Sequence, residues 1–315
     1  MGSVVLSIDA ELAWGYHDLD RLPHARVTTA RESWLDLLDL LDEFDVPATW
    51  AVVGHLLLDS CDGTHADHPT PDGWFDRDPG TDERRDGAWY GTELVDAIAD
   101  ADADHEVGTH TFSHVEMGDA TREVAAAEMR EAVAVAEERG LSVDSMVFPR
   151  NNVGHRDVLA AYGVSCYRGT RPRQWYDRTP LGAVAKFFGW PTETVSPVLV
   201  TPESDEYGLI NVPASLYLFC FEGRARSLVE RMTDDPVVSM AKRGVDRAAR
   251  EGGVFHMWLH PNNLTDERDF DRMRAILDHA ATVRDETGLE IETMGDVAAE
   301  MRDDEPLPRE PIGPR

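Results

Sequence analysis

Short apolar runs alternate with stretches of helical periodicity over nearly the whole chain. The apolar runs predict strands at Val4–Ile8, Ala48–Val53, Glu106–Thr109, Ser145–Phe148, Val164–Tyr167, Leu209–Val212, Gly253–Leu259 and Leu289–Thr293. Between them, apolar spacings of three and four predict helices over Ala30–Glu43, Thr92–Ala101, Thr121–Arg139, Arg156–Tyr162, Val237–Arg250 and Phe270–Glu286. Gly140 and Gly288 stand where helix stops belong. Such alternation implies an α/β protein with a mainly parallel sheet and helices outside it. About eight such units over 315 residues fit a (β/α) barrel or a distorted relative of one. Residues 1–301 are read as this barrel, interrupted by a long loop at 59–91 rich in Asp, Gly, Pro and His. That loop follows the second strand and is expected to overhang the mouth of the barrel. Residues 302–315, with four prolines, are read as an extended tail.

Reactive side chains of such barrels follow the C-terminal ends of strands. Asp9, His110, Arg150, Arg168 and His260 all stand there. Asp9 and Glu11 would share a face if the first strand persisted, although carboxylates at a strand end also cap helices. His110 and His114 would lie on one side of a helical turn. Thr111 excludes the H-E-x-x-H protease signature, and the bare spacing also suits two structural histidines. Two imidazoles and one carboxylate can hold zinc with a position open for water, leaving the other carboxylate as a base. His256, Trp258 and His260 alternate along one strand, and Pro261 ends it. His260 at the rim suits a proton donor; His256 is read as a structural hydrogen-bonding group. Arg150 could fix a neighbouring carboxylate through paired hydrogen bonds.

Composition narrows the partners. The net charge is −30, from 60 acids against 30 bases, and only Lys186 and Lys242 are lysines. An apolar content of 42% argues against disorder, so an acid-coated folded surface of the halophile type is expected. Nucleic acid and anionic membrane surfaces would be repelled. No run is long enough to span a membrane, and the N-terminus enters a strand directly, so a soluble cytoplasmic protein is expected. Cys61, Cys166 and Cys220 are odd in number and widely spaced, which suggests neither a disulfide framework nor a Cys-type zinc site. The oligomeric state stays open.

Four segments resemble successive motifs of one family: Ser7-Ile8-Asp9-Ala10-Glu11, Ala48-Thr49-Trp50-Ala51-Val52-Val53-Gly54, His105 through His114, and Leu259-His260-Pro261. In this order they look like the NodB-like polysaccharide deacetylases, carbohydrate esterase family four. The resemblance implies a distorted (β/α) barrel, often of seven strands and so seven- or eight-stranded here, a divalent metal that is usually zinc, and removal of N-acetyl groups from amino sugars. By position it implies Asp9 as base, Glu11, His110 and His114 as metal ligands, and His260 as general acid. Arg150 would be the partner of Asp9, although the family's third motif reads Arg-x-Pro and the order here is Pro149-Arg150. Trp74, Trp175, Arg168 and Asn151 are candidate substrate contacts, the tryptophans because aromatic faces pack on pyranose rings. With no export signal read, an intracellular glycan precursor is the expected substrate. The alternatives are a metal-independent amidohydrolase acting on a small cyclic amide, and a glycan-binding protein without activity.

The charge excess yields a prediction. Salt shortens the Debye length from about 30 Å at 0.01 M to about 3 Å at 1 M. Thermal melting followed from about 0.1 to about 4 M KCl should show the melting temperature rising, with gains above about 1 M marking ion binding by the carboxylates beyond simple screening. A flat or falling curve would refute the halophile reading.

Overall fold

The first strand, β1 (Gly2–Ala10), is buried at every position and is the centre of the sheet. A computed structural model describes residues 2–174, 190, 195–221 and 235–304. The other strands are β2 (Thr49–Val52), β3 (Glu106–Thr109), β4 (Ser145–Val147), β5 (Cys166–Arg168), β6 (Glu203–Ser204), β7 (Ile210–Asn211), β8 (Leu216–Tyr217), β9 (Gly253–Leu259) and β10 (Glu290–Glu292). One edge of β1 carries β9 in parallel, from Gly2 opposite Gly253 to Ile8 opposite Leu259. The other edge is shared, with β10 along Ser3–Val5 and β2 along Ser7–Ala10. From β2 the parallel order continues through β3, β4 and β5 to β7. A single segment then curls the sheet back: β7 pairs with β5, and β8, a few residues on, pairs with β9. Among the named strands of the described residues only β6 runs antiparallel to its neighbour, and an isolated antiparallel bridge joins Val200 to Val254 of β9.

Strands covered on both faces read as continuous apolar runs, and β1 shows why. Val4, Leu6, Ile8 and Ala10 enter the core under the helices, whereas Val5 joins a separate inner cluster with Ala51, Val147 and Cys166. By strand parity Ser7 and Asp9 share the face of Val5. Likewise Phe255, Met257 and Leu259 of β9 pack outward, and Val254 inward. His256 therefore points into the barrel, where its ring nitrogens meet Ser7 Oγ at 2.8 Å and the Val212 carbonyl at 3.2 Å. Burial pushes this imidazole down to about 3, so it stays neutral and structural.

The helices are α1 (His24–Glu43), α2 (Glu83–Asp86), α3 (Thr92–Ala99), α4 (Arg122–Glu138), α5 (Arg156–Ala161), α6 (Pro236–Glu251), α7 (Glu267–Thr287) and α8 (Met294–Asp304). Gly288 caps α7 in the left-handed conformation, and Gly140 follows α4 at a φ of 73°. Several features differ from the sequence pattern: the short α2 lies within the 59–91 stretch read as loop, and β6 and β8 match no expected strand. Helix α1 begins at His24, a turn and a half before the expected start. Helix α8 was not expected; it carries regular structure through Asp304, into the segment read as tail, and its Arg302 bonds to Ser165 Oγ at 2.6 Å. Residues 305–315 lie outside the described residues. Among the described residues no helix is long and apolar enough to cross a membrane.

Candidate active site

The C-terminal end of β1 opens into a cavity of about 270 Å³ lined by Asp9, Glu11, His110, His114, Arg150, Asn151, Trp258 and His260, among others. Strand β1 stops at Ala10, so Glu11 reaches the cavity from the following turn rather than from the strand. That turn needs Gly15: a Cβ there would come within 2.2 Å of the Glu11 carboxyl carbon.

His114 Nε2 lies 3.0 Å from Glu11 Oε2, and His110 Nε2 lies 3.6 Å from the same oxygen. The His110 Nδ1–H donates to the Val147 carbonyl at 2.8 Å, which turns its Nε2 lone pair toward Glu11. These three donors form a group able to hold a metal ion. Burial alone would raise the Glu11 carboxyl, but His260, His110 and His114 outweigh it and hold it well below its ordinary value. His114 is pushed down by burial. The expected helical turn is not what aligns the two histidines. The segment is a bent loop with Thr111 at φ 63° and His114 at φ 64°, and its ring centroids are 5.1 Å apart. Backbone amides of Gly54 and His55 bond to the Thr111 and Phe112 carbonyls and hold this strained course.

Asp9 is gripped by Arg168, with Nη1 on Oδ1 at 2.6 Å and Nη2 on Oδ2 at 2.8 Å. Burial would raise the Asp9 carboxyl; the guanidinium outweighs it and keeps the group below its ordinary value. This corrects the expected role of Arg150. Arg150 has a φ of 53° in a one-turn helix after β4, and it turns to the rim. There it pairs with both oxygens of Asp18 at 2.6 Å and with Glu116 at 3.1 Å. Arg168, expected as a substrate contact, is instead the partner of Asp9. It also donates to Ser7 Oγ and, at 3.2 Å, to Asn151 Oδ1.

His260 completes the cavity. Its Nε2 lies 3.7 Å from Asp9 Oδ2 and 3.5 Å from Glu11 Oε1, while its Nδ1 is 3.2 Å from Asn263 Oδ1. Asn263 is also held by the Tyr217 hydroxyl, and Asn262 Nδ2 donates to Glu11 Oε1 at 3.3 Å. Neither asparagine was singled out from the sequence, although both directly follow His260-Pro261. Trp258 was also missed as a wall of the site; strand parity with His256 and His260 was the available signal. Its ring stacks on Tyr217 at 4.2 Å and carries the Arg168 guanidinium at 4.3 Å. Trp74 is half-buried with its Nε1–H spent on Ser113 Oγ at 2.9 Å. This contact places the 59–91 loop against the histidine loop, and none of its residues lines the cavity. Trp175 lies outside the described residues.

Residues 19–159 match the family model described as polysaccharide deacetylase. The match contains His110 and His114 and stops short of Asp9, Glu11, Arg168 and His260. No curated protein matches the chain in sequence. Among solved structures, a "putative polysaccharide deacetylase" from Mycobacterium smegmatis superposes with a TM-score of 0.64 at 15% identity, covering 99% of this chain and 94% of that one. Puue allantoinase has a TM-score of 0.59 at 14% identity, covering 97% of this chain and 91% of its own. A "probable polysaccharide deacetylase" from Pseudomonas aeruginosa PAO1 reaches 0.59 at 13% identity with the same coverages. At these identities the likeness is one of fold. The fold is NodB-like.

Two predictions test how this site is held. Arg168→Met strands a buried carboxylate and should cost about 3–5 kcal/mol in denaturant unfolding. Arg150→Met, at the rim, should cost about 0–1 kcal/mol. Equal losses would remove Arg168 as the specific partner of Asp9.

The second concerns Glu128 of α4, which is fully buried beneath the histidine loop. Its carboxyl accepts from the Ser113 amide at 2.8 Å and bonds Ser113 Oγ at 2.6 Å. Burial pushes it from 4.5 up to about 7. The folded state therefore holds this proton more tightly than the unfolded chain. The contribution is complete below pH 4.5 and is lost as pH rises through about 7, a swing of ~3 kcal/mol. Glu128→Gln does not titrate, so its melting temperature relative to the parent should climb from pH 5 to pH 8, by roughly the amount that swing allows. A constant difference across that range would show that Glu128 does not take up a proton in the folded protein.

Proposed function

We propose that the protein is a metal-dependent hydrolase that removes N-acetyl groups from an amino sugar or glycan precursor. The observation that carries this reading is the grouping of Asp9, Glu11, His110, His114 and His260 around one cavity, with Asp9 and His260 flanking the three-donor set. The donor chemistry fits a catalytic zinc centre, which takes two imidazoles and a carboxylate and keeps a position open. Glu11, His110 and His114 would hold the ion, most simply Zn²⁺. When bound, it would polarise the acetyl carbonyl and lower the pKa of water.

The remaining roles belong to the chain. Asp9, kept ionised by Arg168, accepts the proton of the attacking water. Its two hydrogen bonds to the guanidinium also fix the direction of the carboxylate. His260 donates a proton to the departing nitrogen, which would leave very poorly as an anion. Its Nδ1–H on Asn263 Oδ1 keeps Nε2 facing the cavity. Trp258, with Tyr217 stacked on its ring and the Arg168 guanidinium over it, buttresses that arginine at the cavity wall, whereas Trp74, with its donor engaged, acts as support for the loop. Trp175 and Asn151 remain candidate substrate contacts.

A second reading is favoured by the shared fold with an allantoinase. A small cyclic amide could be opened by the same base and acid without a metal. Metal analysis joined to acetate release from a panel of N-acetylated sugars separates the two.

Asp9→Asn should keep the metal of this centre and lose turnover by roughly 10²–10⁴. Glu11→Ala should lower the divalent ion content by about one per chain, because two histidines alone hold zinc poorly. If Asp9→Asn loses the ion and Glu11→Ala keeps it, the two roles are reversed. Acetate release by fully metal-free protein would overturn the metal-dependent reading.

A further inference from the structure

The 59–91 loop brings a second set of metal-ligand side chains together, outside the cavity. His55 Nε2 and His65 Nε2 lie 3.1 and 2.7 Å from Asp78 Oδ2. Cys61 Sγ is 3.3 Å from the same oxygen and 3.3 Å from His65 Nε2. All four donor atoms lie within 4.8 Å of one another. We propose that His55, Cys61, His65 and Asp78 form a structural zinc site that pins this loop to the barrel.

Hydrogen bonding alone does not satisfy this arrangement. One carboxylate oxygen offers about two lone-pair directions. Asp78 Oδ2 faces two imidazole nitrogens and a thiol. Its other oxygen is already occupied by the Gly80 amide at 3.0 Å and the Tyr90 hydroxyl at 3.2 Å. A cation among the four atoms satisfies all of them, with Gly80 and Tyr90 then orienting the carboxylate from behind. The spacing agrees. Zinc bonds of about 2.0–2.3 Å in a tetrahedron set neighbouring ligands about 3.3–3.6 Å apart. The Gly63 amide, 3.2 Å from Cys61 Sγ, supplies the donor that a bound thiolate accepts.

The backbone is shaped for this meeting. Gly63 and Gly80 have φ of 73° and 59°, and a Cβ on Gly80 would come 2.8 Å from the Asp62 carbonyl. The two arms of the loop thus pass in contact and deliver Cys61 to Asp78. Four protein ligands leave no open position, which marks a structural rather than a catalytic site. Imidazole and thiolate together select zinc over magnesium or calcium. His55 joins the site to the catalytic face: its ring lies 4.4 Å from Trp14 and 5.6 Å from Phe112, the residue midway between His110 and His114.

The test uses the full chain carrying Glu11→Ala, stripped of metal and titrated with zinc alone. It should retain about one equivalent after desalting, and zinc should raise its melting temperature. Cobalt in place of zinc should give a thiolate-to-metal charge-transfer band. Adding Cys61→Ser or, separately, His65→Ala should abolish retention and the thermal shift, and Cys61→Ser should remove the band. Both residues are only partly buried, so two variants guard against one failing to fold. Retention unchanged in both, no retention in Glu11→Ala itself, or cobalt binding without a thiolate band would overturn the proposal. Each result is independent of the Asp9 centre, which is read by acetate release.

Discussion

The contact on which the mouth of the barrel depends is the buried pair between Arg168 and Asp9. A guanidinium with 1% of its residue exposed meets a carboxylate residue with 3% exposed. Neither ion could be held there alone, because an unpaired charge in such a place costs several kcal/mol. The pair also reaches beyond its two residues. Arg168 spans from β5 to Ser7 and Asp9 of β1, to Asn151 after β4, and to the ring of Trp258 on β9. One side chain thereby fixes strands that are far apart in sequence and holds the carboxylate ionised. The same two hydrogen bonds stabilise the fold and fix the direction of the carboxylate at the cavity.

The histidine loop shows a different kind of constraint. Thr111 and His114 occupy left-handed conformations that cost of order 1–3 kcal/mol each in non-glycine residues. The strain persists because the loop is tied from several sides. The end of β2 supplies amides from Gly54 and His55, and α4 supplies Glu128 beneath Ser113. Trp74 reaches the same Ser113 hydroxyl from the long loop. A relaxed helical turn would satisfy the backbone locally but would give up these ties.

Much of the architecture was legible because parallel strands buried on both faces leave unmistakable apolar runs. Gly253–Leu259 is such a run and begins and ends as expected; Glu106–Thr109 also keeps its expected bounds, although its first two residues are only partly buried. The histidines, Asp9 and His260 were legible because they directly follow such runs. The partner of Asp9 was not, since Arg150 and Arg168 both end strands and neighbourhood alone does not separate them. Parity does: Cys166 packs in the inner cluster and Tyr167 in an outer one, so Arg168 points inward. Arg150 lies past the end of β4, where alternation no longer applies. The Cys61 cluster was illegible for another reason. It contains a single cysteine, and its ligands follow no repeating spacing, so only the crossing of two loop arms at Gly63 and Gly80 brings them together.

The two clusters meet through His55. Its amide donates to the Phe112 carbonyl at 2.9 Å, inside the strained histidine loop, while its ring nitrogen lies on Asp78. Its backbone and its side chain therefore serve different loops. Position 55 is fully buried against Trp14, which lies in the turn that carries Glu11 into the cavity. A shift of the long loop would be felt first at this ring and then at Trp14 and Phe112. The Glu11 turn and the histidine loop are thus braced from behind by one residue. The chain can carry a long polar loop beside the histidine loop without losing the geometry of the cavity, because loop and cavity walls are braced at the same residue.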